Sequence, residues 1–139
     1  MISFSFSPRL RITFQVTLAA LEAQSVPLDG ALSSGKPTVI EFYADWCKVC
    51  NEMAPLTYEV ESGYKDKVNF VMLNIENSKW ENEIREFGVP GIPEFVFLNG
   101  QGDAEAIAWG RLPREVLEGD VKALAEQKEL PYARVKKGE

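Results

Sequence analysis

Runs of apolar residues alternate with segments of helical spacing along most of the chain. Residues 37–43 and 67–75 are rich in β-branched and aromatic side chains, which is typical of strands buried on both faces. Between them, residues 47–63 place apolar side chains three or four positions apart, which predicts a helix. Ser78 and Glu81 have the spacing of a capping box and predict a second helix that ends near residue 87.

A hairpin and a last helix complete the pattern. Residues 94–98 and 104–109 flank Asn99-Gly100-Gln101-Gly102, a turn composition that predicts an antiparallel hairpin at the edge of the sheet. Pro113 suits the first position, N1, of a final helix, which we expect Pro131 to end. Strands and helices in this order predict an α/β fold, with a central mixed sheet that carries helices on both faces.

The start of the chain predicts less regular structure. Its first residues alternate in polarity, as in a short strand or an unfixed tail, and they contain arginine and serine but no acid before Glu22. That composition fits an organelle transit peptide and a truncated start equally well. Phe14, Leu18 and Leu21 then share one helical face. We divide the chain into a disordered or truncated remnant of a targeting or anchor segment (1–13), a helical extension (14–36), the α/β domain (37–130) and a C-terminal tail (131–139).

Length and charge narrow the possible partners. With 139 residues, 45% of them hydrophobic, the chain can bury one core and predicts one globular domain. Its formal charge of -6 argues against binding to nucleic acid or to an anionic membrane surface, because both would repel an acidic protein. We find no apolar run of about 18 residues, so we expect the chain as given to be soluble and not to span a bilayer.

Two cysteines and no histidine restrict the chemistry further. A structural zinc site draws its four ligands mainly from Cys and His, so we expect no metal site. Catalysis by Ser-His-Asp or Cys-His groups is excluded, because both need an imidazole. We also expect no bound small-molecule cofactor, which leaves redox chemistry of the cysteines themselves, as a redox-active Cys47-Cys50 disulfide.

Cys47 and Cys50 are separated by two residues at the predicted start of a helix. The unpaired N–H groups and the dipole of a helix N-terminus favour a thiolate at Cys47, and Lys48 adds a nearby cation. Cys47 is therefore predicted to attack a substrate disulfide, and the shielded Cys50 to resolve the mixed disulfide that results. The alternatives are half of a zinc ribbon, which lacks a second cysteine pair here, and an inert disulfide, which would stabilise little across so short a loop.

Two neighbouring features have two interpretations each. Glu41 stands inside an otherwise apolar strand, where a buried carboxyl would have a raised pKa and could relay protons to or from Cys50. Alternatively, Glu41 lies at an exposed margin of the strand and only solvates it. Pro93 precedes a strand and is a candidate for a cis peptide bond, which would let the backbone of Ile92 hold an extended peptide, or it belongs to an ordinary trans turn.

Three spaced motifs resemble the thioredoxin family over about residues 37–128: residues 39–50, 53–55 and 91–93. The resemblance implies a thioredoxin fold, and it implies roles for several residues of this chain. These are Cys47 as nucleophile, Cys50 as resolving thiol, Trp46 as a lid beside them, Pro55 as a helix kink, Pro93 in the cis form and Gly110 near the peptide groove.

Three positions depart from the family pattern. Glu41 replaces the usual Asp of the active-site strand, and Lys48-Val49 replaces the usual Gly-Pro between the cysteines. Met72 stands where the family commonly has a lysine, which removes a charge from the neighbourhood of Glu41. These departures separate the chain from a general cytosolic thioredoxin.

Residues 65–80, 110–114 and 130–133 are similar to the membrane-anchored thioredoxin-like proteins of thylakoids in chloroplasts and cyanobacteria. That resemblance implies a lumen-facing reductase that helps to assemble the cytochrome bf complex. It would take electrons from a membrane thiol donor and reduce apocytochromes before haem attachment. The group carries an N-terminal anchor, which this sequence lacks, so we expect any membrane association to depend on such an anchor.

Taken together, the residues and the resemblance predict a thiol-disulfide oxidoreductase that reduces protein disulfides through a Cys-X-X-Cys dithiol. The alternative is a thioredoxin-fold module that binds and helps to assemble client proteins, with redox turnover secondary.

Overall fold

Four strands form one mixed sheet in the order β2-β1-β3-β4. The computed structural model of the chain describes residues 15–133. Strand β1 pairs in parallel with β2 and antiparallel with β3, and β3 pairs antiparallel with β4. The strands are β1 (Thr38–Tyr43), β2 (Asn69–Asn74), β3 (Glu94–Leu98) and β4 (Ala104–Trp109).

Five helices cover the two faces of this sheet and its N-terminal side. They are α1 (Leu18–Ala23), α2 (Leu28–Ser33), α3 (Lys48–Tyr64), α4 (Glu81–Phe87) and α5 (Arg114–Ala125). Alternate β3 residues point to opposite sides: Phe95 packs in the core beneath α3 and α5, and Val96 packs beneath α2 and α4. The α/β fold with a mixed sheet and helices on both faces is therefore confirmed.

Three predicted helix boundaries are wrong. Helix α4 follows a 3-10 turn at Ser78–Trp80, and the cap is the side chain of Asn77, which accepts the Lys79 N–H at 3.0 Å. The predicted capping box at Ser78 does not form, because Asn77 caps the chain one residue earlier and Ser78 is itself part of the 3-10 turn. Helix α5 ends at Ala125 rather than at Pro131, since Gln127 turns the chain with φ of 57°.

Pro113 is the N-cap residue of α5 rather than its N1 residue. The proline ring holds φ at -61° there, with an extended ψ of 154°, so the residue leads into the helix without joining it. The predicted stop is thus displaced by several residues, and the predicted start by one.

The predicted helical extension forms α1 and α2 and packs onto the domain. Leu18 and Leu21 are buried, as their shared helical face predicted. Between the two helices, Val26 N–H donates to the carbonyl of Phe70 at 3.0 Å, and the Ser25 hydroxyl accepts the Met72 N–H at 2.8 Å. The extension thereby covers the outer edge of β2, which would otherwise expose unpaired backbone groups.

Predictions for residues 1–13, for Phe14 and for residues 134–139 lie outside the described part of the chain. Between residues 15 and 133, none of the helices has the length and apolar character needed to cross a membrane.

Leu21→Ala is expected to lower the free energy of unfolding by about 2–5 kcal/mol, because the leucine is 0% exposed and its removal leaves a cavity. Urea denaturation followed by circular dichroism measures this change. Leu32→Ala is the matched control, because Leu32 in α2 is 45% exposed and should cost less than about 0.5 kcal/mol. Equal effects of the two variants would show that the extension does not belong to the folded core.

Candidate active site

The cysteine pair lies where the central strand β1 passes into helix α3. Cys47 is the N-cap residue of α3, and its sulfur accepts the backbone N–H of Cys50 at 3.1 Å. Cys47 and Cys50 form a disulfide with a Cα–Cα distance of 5.2 Å. The free N–H groups of the first helical turn and the helix dipole therefore act on the sulfur of Cys47, as the sequence predicted.

The two cysteines differ in their access to solvent. Cys47 is 5% exposed and Cys50 is 0% exposed, so an incoming disulfide can reach only Cys47. Trp46 stands beside them with 66% of its surface exposed. Leu18 and Leu21 of the N-terminal extension pack in the same apolar cluster as both cysteines.

The residues between the cysteines have different surroundings. Lys48 is exposed, and its Nζ lies 4.0 Å from Glu52 Oε1. The other carboxylate oxygen of Glu52 pairs with Arg111. The positive charge of Lys48 near Cys47 is therefore partly offset by the carboxylate of Glu52. Val49 is half-buried and packs against the core, and Pro55 lies within α3, where it removes one backbone donor.

Glu41 is buried in the middle of the sheet. It stands opposite Met72 on β2 and Phe95 on β3, and neither carboxylate oxygen has a hydrogen-bond partner. Burial, and secondarily the charge of Glu61, raise the pKa of Glu41 well above its ordinary value. The alternative of an exposed strand margin is wrong. Strand β1 pairs with β2 on one edge and with β3 on the other, so Glu41 lies in the interior of the sheet.

The Ile92–Pro93 peptide bond is cis, so the trans alternative is wrong. The Pro93 carbonyl accepts the N–H of Gly110 at 2.8 Å, and Gly110 has φ of 78°, a conformation that favours glycine. The side chain of Ile92 packs against the cluster that contains both cysteines. Among the described residues, no hydrogen bond uses the backbone of Ile92, which leaves its N–H and C=O available to a peptide.

Two groups near the site escaped the sequence analysis. Glu94 follows Pro93 directly, is 0% exposed, and accepts the indole N–H of Trp109 at 3.1 Å. Burial raises the pKa of Glu94 to about 7, although the bond from Trp109 opposes the shift. Glu61, on the inner side of α3, is also buried. Both could have been found by the criterion applied to Glu41, an acid within an apolar stripe.

The sequence profile described as "Thioredoxin" matches residues 20–123. This chain belongs to the thioredoxin family. The thioredoxin match begins within the predicted helical extension. The resemblance stated from the motifs is thus confirmed, and so is the thioredoxin fold.

Relatives in photosynthetic organisms are similar to most of this chain. The chain is 57% identical over 125 residues to "Thioredoxin-like protein HCF164, chloroplastic" of Arabidopsis thaliana, covering 89% of this chain and 48% of that protein. It is 46% identical over 116 residues to "Thiol:disulfide interchange protein TxlA" of Synechococcus elongatus, covering 84% of this chain and 61% of that protein. The chain thus spans roughly half the length of these relatives. The likeness to chloroplast and cyanobacterial thioredoxin-like proteins is confirmed.

A solved structure shares the thioredoxin fold at lower identity. It comes from work on the thiol resolving mechanism in yeast mitochondrial 1-Cys peroxiredoxin via glutathione/thioredoxin systems. The TM-score is 0.60 at 27% identity, with 70% of this chain and 87% of that chain covered.

Glu94→Gln is expected to lose less stability than the wild-type protein as the pH rises. The native state binds the Glu94 proton up to about pH 7, and the unfolded state loses it near pH 4.5. Wild-type stability therefore falls across that window, whereas glutamine keeps an acceptor for Trp109 without ionising. At pH 8, relative to pH 4, we expect the variant to gain about 1–3 kcal/mol over wild type.

Urea denaturation at a series of pH values measures this difference. Glu105→Gln on the neighbouring strand β4 is the control, because Glu105 is exposed. Curves for Glu94→Gln and wild type that stay parallel from pH 4 to pH 8 would contradict the assignment.

Proposed function

We propose that this chain is a thiol-disulfide oxidoreductase that reduces protein disulfides through Cys47 and Cys50. The observation that carries the proposal is the closed Cys47–Cys50 disulfide at the N-terminus of α3, with only Cys47 reaching the surface. A pair that closes with ordinary Cα separation can open and close without moving the backbone. The thioredoxin family and the thiol:disulfide interchange relative support the same chemistry.

Reduction proceeds in two exchanges. The Cys47 thiolate attacks one sulfur of the substrate disulfide, forms a mixed disulfide, and releases the first substrate thiolate, which takes a proton from water. Cys50 then loses its proton and attacks the Cys47 sulfur. The Cys47–Cys50 disulfide forms, the second substrate thiolate leaves and is protonated, and two electrons have passed to the substrate.

Glu41 is proposed to accept the proton of Cys50 in the second exchange. Cys50 is shut off from solvent, so its proton needs an acceptor inside the protein. Glu41 lies on the strand that leads into the motif, and its carboxylate has no competing hydrogen bond. Its raised pKa brings its proton affinity closer to that of a thiol, which favours transfer in either direction.

The substrate is proposed to lie across Trp46 and the Pro93 loop. Trp46 is mostly exposed, and the free backbone groups of Ile92 can pair with an extended peptide as with an added strand. Gly110 supports that loop through its bond to the Pro93 carbonyl. Lys48 and Val49 are proposed to tune the potential of the pair, and Pro55 to shape the helix behind it.

The clients are proposed to be apocytochromes or other proteins of the thylakoid lumen, and the electron donor a membrane thiol protein. The names of the relatives support a chloroplast or cyanobacterial setting. An apocytochrome haem site is itself a Cys-X-X-Cys-His segment. Such a segment can form a disulfide that must be reduced before haem attaches.

Cys47→Ser should abolish reduction of insulin disulfides, because it removes the attacking sulfur. Cys50→Ser should instead accumulate covalent mixed disulfides with an oxidised Cys-X-X-Cys-His peptide, since the resolving thiol is gone. Insulin turbidity and mass spectrometry of the adduct measure the two results. The same peptide with both cysteines replaced by serine is the control.

Full insulin reduction by Cys47→Ser would overturn the proposed enzyme. A Cys50→Ser variant that holds the peptide without forming a covalent adduct would favour the client-binding module instead. Titration of the pair against a glutathione series then measures whether its potential suits a reductant.

Glu41→Gln should slow the second exchange by about tenfold or more at alkaline pH, where the wild-type Glu41 carboxyl is ionised and glutamine cannot accept the Cys50 proton. Reaction of the reduced protein with dithiobis(nitrobenzoate) separates the steps by stopped flow. The first thionitrobenzoate released reports attack by Cys47, and the second reports Cys50. An unchanged first phase with a slowed second phase is expected, whereas two unchanged phases would exclude Glu41 from proton transfer.

A further inference from the structure

Glu41 shares its cavity with a second buried carboxyl group. Glu61, which is 4% exposed, lies on α3 and lines the same cavity of about 10 Å³. Such a volume is near the lower limit for one water molecule. Glu41 projects into it from the sheet and Glu61 from the helix above.

The rest of the cavity wall offers no compensating charge. Among the described residues, β2 contributes Phe70, Val71 and Met72, β3 contributes Phe95, and α5 contributes Leu117. Neither lysine nor arginine is among these lining residues, so neither carboxylate has a buried cation to pair with. The nearest other titratable group on β1, Tyr43, donates its hydroxyl to Glu22 of α1 instead. Two carboxyl groups in such a space cannot both ionise without a large electrostatic cost.

Of the two carboxyl groups, Glu61 is the one in contact with the N-terminal extension. Gln24, an exposed residue that follows α1, donates from Nε2 to Glu61 Oε1 at 2.8 Å. Glu41 has no such contact, because both of its oxygens are buried without a partner. Glu61 therefore stands between the sealed carboxyl and solvent.

We propose that Glu41 and Glu61 work as one proton-sharing pair, in which Glu61 is a positioning residue that sets the protonation of Glu41 and connects it to solvent beside Gln24. This inference rests on the proposed role of Glu41 in the second exchange. The Cys50 proton passes to the Glu41 carboxylate, then to the Glu61 carboxylate, and leaves to water at Gln24. The two electrons pass separately to the substrate sulfurs.

The shifted pKa values of Glu41 and Glu61 agree with this arrangement. Burial raises the pKa of Glu61 to about 7, and the hydrogen bond from Gln24 opposes the rise. The charge of Glu61 in turn contributes to the raised pKa of Glu41. Glu61 thus ionises first on raising the pH, and Glu41 follows against the repulsion of its neighbour.

The pH dependence of the second exchange tests the pair. Glu61→Gln keeps an acceptor for Gln24 but removes the repelling charge, so the midpoint of the low-pH limb should fall by about one pH unit. Below the wild-type midpoint, this second thionitrobenzoate release should become up to about tenfold faster. It is a single-turnover step, in which Glu41 only has to accept the Cys50 proton and does not yet have to pass it on to Glu61. Glu59→Gln is the matched control: it makes the same change on α3, but at an exposed surface pair with Arg114.

A Glu61→Gln profile that coincides with wild type and Glu59→Gln would overturn the pair. If Glu41→Gln still slows the second phase in that case, the proposed role of Glu41 survives alone. If Glu41→Gln also has no effect, both statements fail.

A second measurement does not depend on replacing a buried residue. Carboxyl ¹³C NMR of glutamate in the wild-type protein should show three buried resonances. The Glu94 resonance, identified by its loss in Glu94→Gln, titrates by itself, whereas the other two should each follow the same two titration steps. Gln24→Ala, a surface change, should move the first step to higher pH, because ionised Glu61 loses its donor. Two independent single-step titrations, or an unmoved first step in Gln24→Ala, would overturn the pair.

Discussion

Hydrogen bonding of β1 on both of its edges is the constraint on which the rest of this structure depends. Pairing with β2 and β3 buries every residue of β1, and its end delivers Cys47 to the start of α3. Because β3 runs antiparallel, the register that pairs Phe42 with Glu94 brings the Pro93 loop to the same end of the sheet. The cysteine pair and the Pro93 loop are thus brought to the same end of the sheet by strand register.

The same pairing makes the acidic residues of the site costly. Glu41, Glu61 and Glu94 are all buried, and an ionised carboxylate in such surroundings loses hydration that few partners replace. A protein that retains such groups gives up stability near neutral pH, which is common where pKa values are shifted for chemistry.

The N-terminal extension has more than a covering role. It closes the free edge of β2 through Ser25 and Val26, places leucines against the cysteine cluster, and presents Gln24 to Glu61. Met72, which lies opposite Glu41 on β2, is apolar and offers no cation to neutralise it. The extension thereby supplies the polar contact that reaches the acid pair from the surface.

Local patterns in the sequence determined much of this protein: the strands, the long helix α3, the hairpin, and the reactive pair in a chain without histidine. These features depend on side-chain periodicity, turn chemistry and residue type, which act over a few neighbouring positions. The start of α4 was misplaced because Asn77 caps a 3-10 turn through the Lys79 N–H, so the α-helix begins only at Glu81.

Tertiary structure alone decided which acids are buried and what they face. Whether Glu41 lies at a margin or in the core depends on whether β3 pairs beside it, and β3 is more than fifty residues away along the chain. The meeting of Glu61 with Glu41, and of Gln24 with Glu61, likewise joins three separate elements. A pattern within one segment identifies a charged residue in an apolar stripe, but its protonation depends on neighbours that only the folded chain brings together.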